Sequence, residues 1–302
     1  YFADYVSRAD YAVANLETTL CGLDNGYPYK GYPNFNCPDS IVDAVKNAGF
    51  DMLLNGNNHS YDTLMTGITR TLENVRAAGL GTIGTRLNEE EPRYSIVDVN
   101  GIKIGMLCYT YSSGLSNEGI PRLNGNSPVE NEQLVNWFYN RNPEKMYAEV
   151  EQILADMEAE GAEINMMFIH WGNEYELTEN SFQNMQAQAL CDLGVDVIAG
   201  SHPNVIQPIT QLTSTDGTSK TLCLYSMGNF LSNQRADNIA LETGHSEDGL
   251  MFSFTFVKYS NGEVHVEQVE LMPTWVVVRG NDDNKIFQIL PLDVSVEDWN
   301  AV

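Results

Sequence analysis

Short apolar runs alternate along the chain with segments whose apolar residues recur at helical spacing. Residues 51–55, 164–169 and 195–199 are apolar runs bounded by glycine or polar residues, a pattern typical of buried parallel strands. Residues 63–78 carry apolar side chains three and four positions apart and are followed by Gly79, which predicts an amphipathic helix that ends at a glycine. This alternation of strands and helices predicts the α/β class.

Two Asn-Gly pairs predict β-hairpins in addition to the parallel strands. These pairs are Asn100-Gly101, between residues 94–99 and 102–109, and Asn261-Gly262, between residues 250–258 and 263–272. Hairpins combined with strand–helix alternation predict layers of mixed β-sheet. Further strands are predicted at 12–16, 81–84, 205–209, 221–226 and 286–290, and further helices at 39–48, 144–160 and 181–193. We expect one domain over 1–302, with 273–302 as a C-terminal appendage.

Composition and charge restrict the partners of the chain. Its 302 residues are 43% hydrophobic and 19% charged, as in a globular protein, and no run of 18 apolar residues is present. Forty-one acidic residues against 16 basic ones give a net charge of −25, without a dense cluster of lysine or arginine in the sequence. We therefore expect no nucleic-acid partner and no direct binding to anionic lipid.

The five cysteines do not form a zinc-ribbon pattern, because the chain has no Cys-x-x-Cys pair. Cys108, Cys191 and Cys223 lie in apolar runs and are predicted to be buried thiols. Cys21 and Cys37 bracket a loop rich in glycine, proline and tyrosine. The sequence leaves two alternatives for this pair, a disulfide or two free thiols.

Three of the five histidines lie where a short apolar run ends in polar residues, at the end of a predicted strand. His59 comes after residues 53–58, His170 after 164–169 and His202 after 196–201. In open α/β sheets, ligands bind beyond the carboxyl ends of the strands, which lie at one edge. The sequence therefore predicts that the three histidines share one site.

Two further strand ends supply oxygen ligands to the predicted site. Asn15 and Glu17 follow the first strand, and Asn57 and Asn58 precede His59. A carboxylate, an amide oxygen and imidazoles suit a divalent ion such as Zn, Mn or Fe. Such an ion would act as a Lewis acid and lower the pKa of a bound water. His59 could then serve as a general acid.

Each of these residues also has a structural interpretation when it is considered alone. Asn57 and Asn58 could form an Asx-turn, His170 could be a hydrogen-bonded core histidine, and His202 before Pro203 could be part of a turn. Their joint arrangement favours the shared site.

The remaining polar candidates are open to two interpretations. His245 lies in a polar loop and could line a pocket or face solvent, whereas His265 alternates with valines and is predicted to face solvent. Glu174 could add a carboxylate or lie in a solvated loop. The segment 226–230, with Asn229, could line the floor of a cavity or act only through its backbone. Ser226 is not expected to be a nucleophile, because no Gly-x-Ser-x-Gly motif surrounds it.

Six segments, taken in order over about residues 9 to 275, resemble the CapA family of poly-γ-glutamate capsule biosynthesis proteins. They are Asn15-Leu16-Glu17, Asn34-Phe35-Asn36-Cys37-Pro38, Asn57-Asn58-His59-Ser60-Tyr61-Asp62, His170-Trp171-Gly172-Asn173-Glu174-Tyr175, residues 194–203 and Tyr225-Ser226-Met227-Gly228-Asn229-Phe230. The resemblance implies a calcineurin-like metallophosphoesterase-type fold, a sandwich of two mixed β-sheets flanked by helices.

The resemblance also implies roles for individual residues. Glu17 matches a metal-bridging carboxylate and Asn58 a metal-binding amide of that superfamily, and His59 matches its catalytic histidine. His170 and His202 match two later histidine ligands. The residues expected to bind substrate around them are Asn15, Asn57, Trp171, Glu174, Asn204 and Asn229.

Two departures from the family pattern concern the first metal of the pair. No strand ending in Gly-Asp precedes Tyr1, and Asn204 stands where the family usually has the second histidine of His-Pro-His. The resemblance therefore implies one divalent ion at most (Mn, Zn or Fe), or a weak second ion if a longer chain supplies the aspartate.

Two functions are compatible with the sequence. The first is a metal-dependent hydrolase of a phosphoester or an amide-linked polymer, and the second is a non-catalytic component that binds or exports an anionic capsule polymer. The family resemblance implies membrane-bound polymer synthase components as partners. It also implies a location on the extracellular face of the membrane, with an N-terminal anchor that this chain lacks.

Overall fold

The computed structural model describes residues 2–235, 244–280 and 284–292. Its helices are α1 (Ala3–Val6), α2 (Ser40–Asn47), α3 (Leu64–Ala77), α4 (Glu144–Ala159) and α5 (Ser181–Asp192). Its strands are β1 (Val13–Asn15), β2 (Met52–Leu54), β3 (Gly81–Ile83), β4 (Tyr94–Val99), β5 (Ile102–Tyr111), β6 (Gly114–Leu115), β7 (Pro121–Arg122), β8 (Trp137–Phe138), β9 (Ile164–His170), β10 (Val197–Ser201), β11 (Ile209–Thr213), β12 (Lys220–Leu224), β13 (Asp248–Lys258), β14 (Val264–Arg279) and β15 (Ile286–Pro291).

The largest sheet has seven strands in the order β11-β12-β10-β9-β5-β4, with β8 beside the end of β5. Its central strands β12, β10, β9 and β5 are parallel, and the antiparallel strands β11 and β4 form its edges. The register places Thr110 and Ser201 on either side of His170, at the last pairs of β5, β9 and β10. The carboxyl ends of these strands therefore meet at one edge of the sheet, as the sequence predicted.

A second layer packs against one face of this sheet. It contains the parallel strands β1-β2-β3 and the antiparallel strands β13-β14-β15. Buried apolar side chains of both layers form one core, which includes Met52, Leu54, Met106, Phe168 and Val197, with Phe252 and Phe254 packed against it. Burial of each such side chain stabilises the fold by about 1.5–3 kcal/mol.

Helices cover the two outer faces of this pair of layers. Val150 and Leu154 of α4 and Leu190 of α5 pack with Tyr109 and Trp171 on the free face of the seven-stranded sheet. Val42 of α2 and Val75 of α3 pack with Leu53 on the outer face of β1-β2-β3. The fold is thus a mixed α/β sandwich of sheets flanked by helices, and the predicted fold class is confirmed.

The first predicted hairpin is formed by β4 and β5, and positive φ angles at Asn100 (54°) and Gly101 (86°) build its two-residue turn. The second is formed by β13 and β14. The described part of 273–302 continues β14 and pairs it with β15, so it completes the third sheet. Residues 281–283 and 293–302 of the expected appendage lie outside the described residues.

Two details of the sequence prediction differ from the structure. The strand predicted at 205–209 is wrong, because β11 begins only at Ile209. Residues 205–208 form a connection in which Val205 and Gln207 are buried, with one bridge between Ile206 and Met227, and Pro208 has no N–H to donate to a ladder. The short strands β6, β7 and β8 are not among the strands predicted from the sequence.

The structure also shows the state of the cysteines and the character of the helices. Cys21 and Cys37 are free thiols, as are Cys108, Cys191 and Cys223, which are all buried. Within the described ranges, every helix is too short or too polar to cross a lipid bilayer.

Candidate metal centre

The carboxyl ends of four strands bring the predicted ligands together. Glu17 follows β1, Asn58 follows β2, His170 ends β9 and His202 follows β10. One potential ligand atom each of Glu17, His170 and His202 lies within 4.8 Å of the other two. His170 Nε2 lies 3.7 Å from Glu17 Oε1 and 2.8 Å from Asn58 Oδ1. These four side chains form what we call the strand-end cluster.

Close backbone packing directs the loop after β2 into this cluster. A Cβ atom on Gly56 would lie 2.7 Å from Cys108 Sγ, and one on Gly84 would lie 2.2 Å from the backbone nitrogen of Gly56. Only glycine allows such an approach, and Gly84 also has a φ of +111°. The loop therefore lies flat against the neighbouring strands before it turns into the site.

Asn57 fixes the turn that follows. Its Nδ2 donates to Asn15 Oδ1 (3.0 Å) and to the carbonyl of Leu16 (2.9 Å), and its Oδ1 accepts from the backbone N–H of His59 (3.1 Å). The last contact is the Asx-type turn that the sequence left open. Asn57 is fully buried, so it joins the ends of β1 and β2 and positions the residues on either side.

His170 is oriented by a partner on the next strand. Its Nδ1 lies 2.8 Å from Ser201 Oγ, which leaves Nε2 facing Glu17 and Asn58. The ring is only 1% exposed. A hydrogen bond to the outer ring nitrogen is the usual way in which proteins fix the orientation of a metal-binding histidine.

His202 is buried, and one of its ring nitrogens lacks a hydrogen-bond partner among the described residues. Its Nδ1 is buried and has no hydrogen-bond partner within the described part of the chain. The residue also adopts a φ of +100°, a strained conformation for any side chain other than glycine. An unpaired buried nitrogen costs about 1–3 kcal/mol. A metal ion on this ring would recover that cost, so the residue fits a ligand role.

Burial shifts the ionisation of the strand-end cluster in one consistent direction. The pKa of His170 is held well below its usual value by burial and by the charges of His202 and His59. Burial, with His59, lowers the pKa of His202 to about 3. Burial raises the pKa of Glu17 to about 7, although His59 and the hydrogen bond from Asn15 oppose this shift. Both imidazoles are therefore neutral near pH 7 and able to bind a cation, which would in turn stabilise the Glu17 carboxylate.

His59 lies close enough to the strand-end cluster to influence the pKa values of Glu17, His170 and His202. Its Nδ1 lies 2.6 Å from Asp62 Oδ2, and the ring packs 4.2 Å from that of Phe35. Asp62 also accepts from the Phe35 N–H (2.6 Å), Asn124 Nδ2 (2.9 Å) and Asn126 Nδ2 (3.2 Å). The Asp62 carboxylate therefore favours the proton of His59 on Nδ1, and Nε2 has no hydrogen-bond partner among the residues that the structure describes.

Asp62 and Tyr111 were not among the predicted site residues. Asp62 lies three positions after His59, and this spacing was the available sequence signal. Tyr111 ends β5, and its ring lies 4.7 Å from His202 and 6.4 Å from His170. Burial raises the pKa of its hydroxyl, so it stays protonated. Nothing in the sequence pattern indicated that Tyr111 would lie beside the two histidines.

Four of the residues expected to bind substrate, Asn15, Glu174, Asn204 and Asn229, are linked by hydrogen bonds to Glu17 or to one another. Asn15 Nδ2 donates to Glu17 Oε2 (3.0 Å). Asn204, with a φ of +59°, contacts the exposed Glu174 through Nδ2 and Oε1 (3.4 Å). Asn229 braces the loop behind them, donating to the carbonyl of Asn204 (3.2 Å).

The expectation for Trp171 is contradicted by the structure. Its side chain is fully buried among the residues under α4 and α5, and its Nε1 donates to the carbonyl of Tyr225 (2.9 Å). Consecutive residues at a strand end point to opposite sides of the sheet, so His170 and Trp171 cannot share one face. Trp171 is therefore a core residue and has no surface for substrate.

The two other histidines lie outside this site. His245 Nδ1 pairs with Asp248 at 2.8 Å, and His265 Nε2 lies 3.4 Å from Glu263. Both side chains are 54% exposed, in agreement with the solvent-facing alternative for each.

The protein is thus a layered α/β protein with a candidate metal centre. This centre consists of two buried imidazoles and a carboxylate that meet where parallel strands end. Residues 1–234 match the family described as "Bacterial capsule synthesis protein PGA_cap", and the chain belongs to this family. The resemblance to CapA found in the sequence is thereby confirmed.

Proteins similar to the chain include two Bacillus relatives and one solved structure. It is 26% identical over 301 residues to "Capsule biosynthesis protein CapA" of Bacillus anthracis, covering 98% of this chain and 67% of that protein. It is 27% identical over 236 residues to "PGA biosynthesis protein CapA" of Bacillus subtilis, covering 78% of this chain and 56% of that protein. A solved structure of the sulfate thiohydrolase SoxB from Thermus thermophilus aligns with a TM-score of 0.45 at 14% identity, over 87% of this chain and 37% of that one.

Proposed function

We propose that the chain takes part in the synthesis of a bacterial capsule polymer and that its strand-end cluster binds one divalent cation in a hydrolase site. Membership of the capsule synthesis family supports the first part. The observation that carries the second part is the convergence of Glu17, His170 and His202, with the buried Nδ1 of His202 left unpartnered.

Glu17, His170 and His202 would hold the cation, and the amide oxygen of Asn58 lies beside them. When bound, a divalent ion would supply Lewis-acid chemistry for hydrolysis near neutral pH. One carboxylate and two imidazoles suit Zn, Mn or Fe. A single ion is proposed because Asn204 replaces a histidine of the family pattern, and because these three residues are the one such cluster found in the described part of the chain.

The residues around the cluster would handle the proton. With Nδ1–H of His59 held by Asp62, Nε2 would carry a proton to the leaving group of the substrate. Phe35 covers one face of the ring and limits access of water. Glu174 and Asn204 at the rim would contact the substrate beyond the bond that is cleaved.

The substrate class follows from the family and not from the cluster alone. A phosphoester or an amide-linked anionic polymer is the proposed substrate, at the cell surface, with membrane-bound synthase components as partners. The printed names of the two Bacillus relatives, which refer to capsule or PGA biosynthesis, support this assignment.

Metal analysis combined with a hydrolysis assay tests the proposal. We expect the purified protein to bind close to one equivalent of Mn, Zn or Fe and to hydrolyse a chromogenic phosphodiester with added Mn. His170→Ala and His202→Ala should each lose metal and activity. His265→Ala is the matched control, because this histidine is exposed and lies on β14, and it should retain both.

The result that overturns the hydrolase site is equally direct. If His170→Ala and His202→Ala keep the metal content and the activity of the parent protein, the strand-end cluster is not the centre. If the parent protein has no activity with any of the three metals yet retains capsule polymer on a column, the non-catalytic polymer-binding function replaces it.

A further inference from the structure

A cavity of about 120 Å³ between the end of β3 and the start of β4 is lined by three arginines. Arg76 comes from α3, and Arg86 and Arg93 come from the connection between β3 and β4. Glu91 is the one carboxylate among the lining residues, whose other polar members include Thr82 and Asn136. We call this space the arginine cavity. The three cations are separated in sequence by up to 17 positions and become neighbours only in the fold.

Arg76 and Glu91 neutralise one another. Arg76 Nη1 lies 3.0 Å from Glu91 Oε1, and Nη2 lies 2.8 Å from Oε2, so both carboxylate oxygens are engaged in a bidentate pair. The guanidinium also donates through Nε to Thr82 Oγ1 (2.8 Å). The Arg76 guanidinium holds the pKa of Glu91 below its usual value. The charge of Arg86 also lowers the pKa of Glu91, but among the described residues Glu91 forms its ion pair with Arg76 and not with Arg86 or Arg93.

Arg86 and Arg93 are oriented by neutral acceptors only. Arg86 donates through Nε (3.0 Å) and Nη2 (2.7 Å) to the carbonyl of Gln133. Arg93 donates to Asn136 Oδ1 (3.0 Å) and to Gln133 Oε1 (2.9 Å). No carboxylate of the described residues lies within 4.0 Å of either guanidinium. Neutral acceptors fix the direction of a guanidinium but do not neutralise its charge.

The two guanidinium charges also act on each other. Burial lowers the pKa of Arg86, and the charge of Arg93 lowers it further, against the weaker opposing influence of Glu89 and Glu149. Arg93 keeps two N–H donors, on Nε and Nη2, without a partner within the described ranges. In a chain with 41 acidic and 16 basic residues, two adjacent arginines without a paired carboxylate are unexpected.

We propose that the arginine cavity binds one oxyanion group, a phosphate or the carboxylate of a polymer unit. Arginine presents a planar fork that matches carboxylate and phosphate oxygens. The volume is several times what a single water needs, so either group has room. An oxyanion would neutralise the two repelling guanidiniums and engage the free donors of Arg93.

The cavity is joined by backbone contacts to the edge that carries the strand-end cluster. Gly84 lines it and accepts from the N–H of Asn136 (2.9 Å), and the carbonyl of Asn136 accepts from Thr110 (3.0 Å), which pairs with His170. Binding of an oxyanion does not rest on the proposed function. The further proposal that the arginine cavity binds one carboxylate of an anionic capsule polymer does rest on that function.

Calorimetric titration of inorganic phosphate into metal-free protein, at constant ionic strength, tests the site. We expect binding that Arg93→Gln weakens about tenfold or more, because hydrogen bonds to charged groups are among the strong ones. Arg93→Lys, which keeps the charge, should retain part of the affinity. Lys220→Gln, which removes an exposed positive charge on β12, should leave it unchanged.

A second measurement uses the unmodified chain and avoids any loss of folding in the variants. Phosphate should protect Arg93 and Arg86 from phenylglyoxal, mapped by mass spectrometry, while the exposed Arg8, which lies over the Tyr5 ring, should react equally with and without phosphate. Absence of both heat and protection overturns the proposal. So does phosphate binding that Arg93→Gln leaves intact.

Two further arms separate the ligand sources and the two proposals. In the first, γ-linked oligoglutamate is added to protein that has bound phosphate. If the oligoglutamate displaces phosphate, the cavity binds polymer carboxylates; if it does not, the ligand of the cavity is phosphate. His202→Ala should leave phosphate affinity unchanged, because it alters only the strand-end cluster. Failure of the metal centre and failure of the arginine cavity are thus observed in different variants.

Discussion

His170 and Trp171 are neighbours in the chain, but His170 belongs to the strand-end cluster and Trp171 to the core under α4 and α5. In the core under α4 and α5, the one polar atom of Trp171 donates to the carbonyl of Tyr225. In the strand-end cluster, the Nδ1 of His202 is buried without a partner. Proteins satisfy most buried polar groups, and the unpaired nitrogen of His202 stands out because two other potential metal ligands lie beside it.

The two regions also differ in electrostatics. The core around Trp171 is built from apolar and aromatic side chains. The strand-end cluster buries ionisable groups, and burial there lowers the pKa values of His170 and His202 and raises that of Glu17. Each of these shifts disfavours charge. A bound cation reverses this cost for the carboxylate, so the cluster is less stable by itself than with a ligand.

The largest effect that separates the regions is expected for Trp171→Ala. Removing a fully buried indole that packs on Tyr225 should lower the free energy of unfolding by about 3–5 kcal/mol, measured by urea denaturation. The folded fraction should keep the metal stoichiometry of the parent protein. Trp171→Phe should lose about 1–3 kcal/mol, because it leaves the Tyr225 carbonyl unpaired. Loss of metal without loss of stability would place Trp171 in the site after all.

The same comparison explains which parts of the site were predictable from sequence. Apolar runs that end at His170 and His202 identify strand ends, and parallel strands bring these ends to one edge. The sequence pattern therefore predicted which side chains meet at this edge, and Glu17, His170 and His202 do so. It does not tell which of two consecutive residues faces the edge, and Trp171 was assigned wrongly for that reason.

Other features depend on packing between distant segments and had no sequence signal. Ser201 orients His170 only through the register of β9 and β10. The arginine cavity joins side chains from α3 and from the β3–β4 connection, so the sequence showed no cluster of basic residues there. The segment 205–209 looked like a strand because it is apolar, yet burial of a connection gives the same pattern.

Metal removal should affect stability only through the strand-end cluster. At about 100 times the dissociation constant, a bound ion should raise the free energy of unfolding by about 2.7 kcal/mol, seen as a higher melting temperature than in chelator. His202→Ala should abolish the increase, whereas His265→Ala should preserve it. An increase of equal size in both variants would show that the stabilising ion binds elsewhere.

Ser201→Ala tests whether orientation of His170 matters. The hydroxyl lies 2.8 Å from Nδ1, and loss of such an outer partner lowers metal affinity by about 10- to 100-fold in other metal sites. We expect a loss in this range by competition with a metal indicator. Ser201→Thr keeps the hydroxyl and should bind nearly as well as the parent protein. If both substitutions weaken binding equally, the cause is packing at the end of β10.

The smallest effect, pH dependence, is expected to come from Glu17 and not from the buried histidines. Burial raises the pKa of Glu17 to about 7, so below that pH a metal must displace a proton from the carboxylate. The apparent affinity should therefore fall by up to about tenfold per pH unit as the pH decreases from 7, and it should level off above 7. The pKa of His202 is lowered to about 3 and that of His170 lies well below its usual value, so neither ring binds a proton in this range. Glu17→Gln should bind metal more weakly but with a flatter profile between pH 5.5 and 8. An unchanged slope in that variant would mean that another group controls the proton competition.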